Sequence, residues 1–364
     1  MGLNESIERL DVNAFKIPTD FPESDGTLEW DSTTIIIVEL GAGRFTGIGY
    51  TYSHETCAGL ISEKLFPLVR GKDPMMSGEI WNAMNVAVRN LGRGGIPSAG
   101  IAAVDIALWD LKARMLRTSF INLVGAARRD IPAYGSGGFT SYSKDQLKKQ
   151  LGEWAAQGLS MVKMKVGRDP QADPTRVLWA RDAIGAEVRL FVDANGAYKR
   201  KQAMEKATQF AKLNVSWFEE PVSSDDLEGL RLLRDHAPEQ IKIAAGEYNY
   251  DSTQARRMLE SGAVDVLQSD ATRCGGITGF LRAAALAEAF QIPLSAHTAP
   301  SLHTHLCCAA QAAVHIEYFH DHARIEQMFF DGASKPCGGK CAPDPDRPGL
   351  GLDFKPLEAS RFKI

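Results

Sequence analysis

An α/β architecture follows from three observations on this 364-residue chain: a (β/α)8-type barrel preceded by a smaller α+β unit. After Asp130, eight short β-rich runs alternate with helical segments. Each run ends on a polar or charged residue. Those ends fall at Lys165, Asp193, Glu219, Glu247, Asp270, His297 and Glu317, with spacings of 28, 26, 28, 23, 27 and 20 by subtraction. A barrel of this type needs roughly 30 residues per unit, so the spacing fits a compact one.

The first 125 residues read as strands followed by helices. Residues 30–52 form a predicted hairpin: Ser32 to Leu40 is β-rich, Gly41-Ala42-Gly43-Arg44 turns the chain, and Thr46 to Thr51 returns it. The segment IAAVDIALWDLKARML, Ile101 to Leu116, carries apolar residues at helical spacing. Helical pattern before it is broken by the glycines from Gly92 to Gly95. Then come the eight runs: IPAYGS, SMVKMKV, VRLFVDAN, VSWFEEP, IKIAAGE, VDVLQSD, IPLSAH and VHIE. Several are apolar on both faces, as a buried parallel sheet requires. The expected organisation is a capping unit at 1–125, a barrel at 126–325, and a Gly- and Pro-rich tail at 326–364 that packs back on the cap.

Composition excludes several classes. Net charge is −4 with acids and bases mixed, so no basic stripe offers itself to nucleic acid and no polybasic anchor to a membrane. No apolar run reaches the roughly 18–20 residues that span a bilayer. Gly2 and Ser6 match the loose N-myristoylation pattern, which is short enough to arise by chance. The six cysteines are scattered, and a chain this long needs no disulfide staples; free thiols and a cytoplasmic location are expected. Cys337 and Cys341 lack the second pair that a structural zinc site would want. There is no phosphate-binding GxxxxGK[ST] loop.

In a βα barrel, the C-terminal ends of all strands meet at one mouth. Any one of the seven residues above could be an ordinary solvated loop residue. Seven in register argue for a site, because gathering unpaired charge is costly. Lys163 and Lys165 lie two apart in a strand and so face the same side. Two neighbouring ammonium groups lower each other's proton affinity, which would let one act as a base near neutral pH. Asp193, Glu219 and Glu247 end three consecutive strands. Three converging carboxylates repel unless a hard cation holds them, and oxygen-only ligands suit Mg2+. Glu220 faces away from Glu219; Glu219 is assigned to the metal and Glu220 to its support, an assignment that can be reversed. Asn195 shares the face of Asp193 and is placed to touch substrate. Asp270 and His297 end neighbouring strands, where a carboxylate can fix the imidazole tautomer and make a second base. Glu317 either donates a hydrogen bond when protonated or pairs with a lysine. The HxH pairs His303-Thr-His305 and His320-Asp-His322 are set aside as metal sites, since positions two apart diverge on a helix.

Together, Lys163-x-Lys165, Asp193-Ala-Asn195, Glu219-Glu220-Pro221, Gly246-Glu247, Asp270, His297 and Glu317, with ALWDL at 107–111 and RPGLGLDF at 347–354, resemble the mandelate racemase subgroup of the enolase superfamily. The resemblance implies a (β/α)7β TIM-like barrel with an α+β capping domain formed by the N-terminal segment and the C-terminal tail. It implies Mg2+, one per site, on Asp193, Glu219 and Glu247. It also implies Lys165 and the His297–Asp270 dyad as opposed bases, with Lys163 and Glu317 binding the enediolate. Removal of the α-proton of a small-molecule carboxylate is the expected chemistry. Two polar segments are read as lids: Phe15 to Trp30, holding Glu23, Asp25 and Glu29, and Tyr50 to Thr56, holding His54 and Glu55. Asp25 and His54 are the expected substrate contacts. Polar lids suit a polyhydroxy acid, so dehydration of an acid sugar to a 2-keto-3-deoxy acid ranks first. Racemisation or epimerisation of a 2-hydroxy acid ranks second, and a catalytically silent barrel is the remote alternative. A homo-oligomer without nucleic-acid or membrane partners is expected.

Overall fold

The computed structural model describes residues 5–364, so Gly2 of the acylation pattern lies outside the described residues. Among the described residues, no helix is long and apolar enough to cross a membrane. The chain opens with a three-stranded antiparallel sheet, β1 (Ile7–Ser24), β2 (Glu29–Ala42) and β3 (Phe45–Tyr52), in that spatial order. The β2–β3 hairpin is the one expected from the sequence. The long first strand corrects the reading of Phe15 to Trp30 as a lid loop: the segment is strand up to Ser24, paired with β2 at Phe15 to Pro18 and again at Glu23 and Ser24. Pro18 and Pro22 hide it, since prolines signal a loop; they are tolerated because β1 is an edge strand, and the register shifts between Pro18 and Glu23. Only the tip remains a turn, closed by Asp25, whose Oδ1 accepts the amides of Thr27 and Leu28 at 2.6 and 2.7 Å.

The helix Ile96–Met115 packs across this sheet with most of its residues buried. Two glycines of β3 allow the approach. A Cβ at Gly49 would lie 2.1 Å from the Ala103 carbonyl oxygen, and one at Gly47 would lie 2.3 Å from that of Ala107. Asp110, of the ALWDL segment, is buried and accepts the Ile48 amide at 2.8 Å and the Leu350 amide at 2.6 Å. One carboxylate thus ties the helix to the sheet and to the tail.

All eight sequence-derived strands are present: β4 (Ile131–Gly137), β5 (Met161–Lys165), β6 (Arg189–Asp193), β7 (Val215–Glu219), β8 (Lys242–Ala245), β9 (Val266–Ser269), β10 (Leu294–Ala296) and β11 (Ala313–Phe319). They pair in parallel in sequence order, and β11 closes on β4 through Ile316–Ala133 to Phe319–Ser136. Seven helices, Lys144–Ala156 through Pro300–Ala309, fill the connections, giving a (β/α)7β barrel with the antiparallel sheet as its cap. Inside the barrel, Tyr134, Met161, Phe191, Trp217, Ala244 and Val266 form a separate buried cluster. Phe191 stacks on Trp217 at 5.2 Å, and burial pushes the adjacent His315 imidazole down to about 3. This apolar plug is the floor on which the charged residues stand. The tail reaches both units: Lys340 and Cys341 pair with Pro132 and Ile131, and the Ile364 amide donates to the Ala14 carbonyl at 3.1 Å.

Candidate active site

Strand register builds the site. Lys165 lies opposite Asp193, and Asp193 opposite Glu219, in one row across β5, β6 and β7. Lys163 sits one layer lower, beside Phe191. Glu247, Asp270 and His297 follow within two residues of the ends of β8, β9 and β10, and Glu317 lies within β11. All are buried. Strand twist and alternation deliver them to the same mouth without any help from loop structure.

Lys163 Nζ contacts Glu219 Oε1 at 2.6 Å and Glu317 Oε1 at 2.9 Å. Lys165 Nζ meets Asp193 Oδ2 at 2.5 Å. These contacts correct the expectation of depressed lysines. Burial works to lower the proton affinity of Lys165, and the Lys163 ammonium adds to that, but the Asp193 carboxylate outweighs them and leaves it above the ordinary range. Burial likewise opposes the charge on Lys163, but Glu219 and Glu317 hold its proton firmly. Of the two roles open to Glu317, the structure displays the lysine pair: burial favours its neutral form, yet the Lys163 ammonium brings it down to about 2. Its Oε2 accepts the Thr298 amide at 3.0 Å.

On the other side, His297 Nδ1 lies 2.8 Å from Asp270 Oδ2, while Asp270 Oδ1 accepts the Thr272 amide and hydroxyl, each at 2.7 Å. Burial opposes the imidazolium, but Glu247 and Asp270 raise His297 to about 9. His297 Nε2 approaches Glu247 Oε2 at 3.0 Å, yet that oxygen finds no well-angled hydrogen-bond donor among the described residues. Lys165 and His297 stand on the second and seventh strands of the closed ring, three places apart by its shorter way around.

Carboxylate oxygens of Asp193, Glu219 and Glu247 lie within 4.8 Å of one another, all buried. This hard-oxygen set fits a divalent cation such as Mg2+. Glu220 is not part of that group. It is buried with φ +37°, its Oε1 finds no partner among the described residues, and burial together with Glu247 drives its carboxyl well above the usual range. Asn195 (φ +46°), Thr298 (+50°) and Ala299 (+39°) also take left-handed backbone just past strand ends. Such strain in non-glycine residues collects at functional sites.

Above these groups opens a cavity of about 420 Å3. Lys165, Asn195, Glu247, His297 and Glu317 line it from the barrel, and Asp25 and His54 from the cap. Glu23 and Glu29 do not line it, a correction to the lid reading. The buried Glu23 accepts from Trp30 Nε1 at 2.9 Å and faces Asp321 in a group that also includes His320, while Glu29 pairs with Arg168. In the arm's register Glu23 lies opposite Trp30 and Glu29 opposite Ser24, so the two carboxylates leave opposite faces, Glu23 into the seam with Asp321 and Glu29 out to Arg168. The His303–His305 pair is structural: His303 Nε2 accepts the Ala271 amide at 2.9 Å. Sequence reasoning missed three participants. Arg273 bridges Glu247 at 3.2 Å and Asp270 at 3.6 Å, and Tyr52 and His322 stack together at the cavity wall. All three lie outside the strand-end positions that carried the repeat signal.

Family models match the chain in two stretches: the mandelate racemase/muconate lactonizing enzyme N-terminal domain over residues 16–125, and the enolase C-terminal domain-like model over residues 146–358. The chain belongs to the mandelate racemase/muconate lactonizing enzyme family of the enolase superfamily. Among its relatives, a 3,6-anhydro-alpha-L-galactonate cycloisomerase of Streptomyces coelicolor is 32% identical, covering 96% of this chain and 98% of that protein. A mandelate racemase/muconate lactonizing enzyme-like protein from Rubrobacter xylanophilus superposes with TM-score 0.96 at 52% identity, over 99% of this chain and 100% of the other. L-talarate/galactarate dehydratase from Salmonella typhimurium, solved with Mg and L-lyxarohydroxamate, superposes with TM-score 0.90 at 29% identity, over 99% and 93% of the two chains. The family's members thus include enzymes named as lyases and as isomerases.

Proposed function

We propose that this protein is a Mg2+-dependent hydro-lyase that dehydrates an acid sugar to a 2-keto-3-deoxy acid. The observation that carries the proposal is the placement of two proton-transfer groups, Lys165 and the Asp270-held His297, on well-separated strands above one buried triad of carboxylates. Relatives named as an acid-sugar dehydratase and a sugar-acid cycloisomerase support the substrate class.

Asp193, Glu219 and Glu247 would hold a single Mg2+. When bound, Mg2+ supplies positive charge that offsets these carboxylates, loosening the hold of Asp193 on the Lys165 proton, and draws electron density from a substrate carboxylate. Lys165 Nζ then takes the α-proton. Lys163, kept charged by Glu219 and Glu317, adds positive charge from the layer beneath as negative charge develops on the carboxylate oxygens of the enediolate. Asp270 fixes the His297 ring and favours its imidazolium, which is the acid that protonates the departing β-hydroxyl. Water leaves, and the enol becomes the ketone.

A racemase or epimerase would use the same two groups to return a proton on the opposite face, a reading kept open by the cycloisomerase relative. The deciding experiment incubates the purified protein with Mg2+ and a panel of sugar acids and measures 2-keto acids as semicarbazones. A keto product establishes dehydration. Epimers or α-deuterium incorporation without a keto product establish the isomerase reading.

A further inference from the structure

The cavity has two chemically different halves. Its floor is the charged ring at the barrel mouth. Its roof is the capping sheet, to which Ser32, Thr33, Thr34 and Ser53 contribute; the Thr33 hydroxyl donates to Asp321 and that of Ser32 to Asp31, each at 2.9 Å, which leaves those of Thr34 and Ser53 for a ligand. Among the described residues lining the roof, none is a lysine or arginine. Arg273 belongs to the barrel, and its guanidinium is committed to Glu247 and Asp270.

The two imidazoles of the outer cavity each use Nδ1 as an acceptor. His54 Nδ1 receives the Thr56 amide at 3.3 Å, and His322 Nδ1 receives the Ala299 amide at 3.3 Å. A ring nitrogen that accepts carries no proton, so the ring proton is left at Nε2. His322 is fixed further by stacking on Tyr52, with centroids 3.3 Å apart and planes 13° from parallel. Burial holds its imidazole well below the ordinary histidine range. The Tyr52 hydroxyl is buried and finds no partner among the described residues. The one carboxylate of the roof lining is Asp25, whose Oδ1 is occupied by its own turn but whose negative charge remains.

We propose that the roof binds an uncharged, hydroxylated tail, so that the substrate is a sugar monoacid whose single carboxylate sits on the barrel floor, and not a diacid. The proposal rests on the sugar-acid reading above. A second carboxylate would shed water into the roof, face Asp25 and meet no cation, which is costly for an unpaired buried charge. Sugar hydroxyls both donate and accept, matching the hydroxyls of Thr34 and Ser53 and the imidazole N–H groups of His54 and His322. A site built on such bonds also rejects tails that lack them.

The test compares chain-length-matched pairs of monoacids and diacids, with Mg2+, by kcat/KM and by α-proton exchange in D2O. Monoacids should lead by on the order of 100-fold. Thr34→Arg, which adds a cation to the roof, should narrow that gap, and His322→Phe, which keeps the stack but not the N–H, should raise KM for the monoacid more than it lowers kcat. Equal or better turnover of diacids would overturn the proposal and leave dehydration standing. Diacid turnover that grows as pH falls, and is lost in His54→Gln, would also overturn it by making His54 the missing cation. Absence of exchange and product with every sugar acid would sink the functional reading itself, and this inference with it.

Discussion

Glu219 and Glu220 are adjacent in sequence and both buried, yet their surroundings differ. Glu219 shares a row with Asp193 and accepts from Trp217 Nε1 at 3.0 Å; Glu220 turns away through a left-handed backbone. Isothermal titration of Mg2+ should therefore show one site per chain, weakened by on the order of 100-fold in Asp193→Asn, Glu219→Gln and Glu247→Gln, and only about tenfold in Glu220→Gln. The reverse order for the last two would exchange their roles. Lys165→Ala and His297→Asn should each cut turnover by about 10^2–10^4-fold. If Lys165 removes the α-proton, His297→Asn retains α-proton exchange by NMR while losing product. If both activities survive in that variant, the dyad is structural. The strand-end residues were legible because a repeat of nearly constant length marks them. Their protonation was not: the Lys163–Lys165 spacing shows two like charges, but which carboxylates face them depends on cross-strand register.

At the scale of the element, the capping hairpin meets the barrel through Glu23, which faces Asp321 next to His320 while Arg324 bonds Asp321 at 3.1 Å. Burial first, then the Asp321 charge, raises Glu23 from 4.5 to about 9. A carboxyl with a raised folded-state pKa contributes its full stability below the unfolded value, and that contribution is lost as pH climbs through the folded one. Between pH 4.5 and about 9 this seam should thus weaken steadily. Glu23→Gln keeps an acceptor for Trp30 and removes the titration. Its melting temperature, relative to the original protein, should rise between pH 5.5 and 8.5 by on the order of 2 °C, followed by differential scanning calorimetry. A pH-independent difference would show that Glu23 does not titrate there. This arm is also where sequence reading failed, because its prolines and acids look like a loop. What makes it a strand is the partner β2, 14 residues long, whose IIIV run buries four consecutive side chains.

For the whole molecule, the barrel strands that carry the charged ring hold like charges together at some expense of stability. A cation bound only by the folded state returns that stability by mass action, about 2.7 kcal/mol at a free concentration 100 times Kd. Mg2+ should accordingly raise the melting temperature of the protein much more than that of Asp193→Asn at the same concentration; an equal rise in both would place the ion elsewhere. The eight-strand barrel was readable from one chain because each βα unit repeats the same local pattern. That the tail returns to the cap was expected from the sequence, but the residues it meets there were not legible, since they depend on pairing between distant stretches. Ile364 donates to Ala14, Lys363 bridges Phe15, and Phe15 packs edge-on against Phe329 at 5.3 Å. That long reach sets an order for biosynthesis. Ala14 leaves the ribosome 350 residues ahead of Ile364 by subtraction, roughly 20–70 s at 5–20 residues per second. Throughout that interval the β1 edge waits without its final partners, so the unit made first is completed last, and a nascent chain must keep that edge from pairing with its neighbours on the same message.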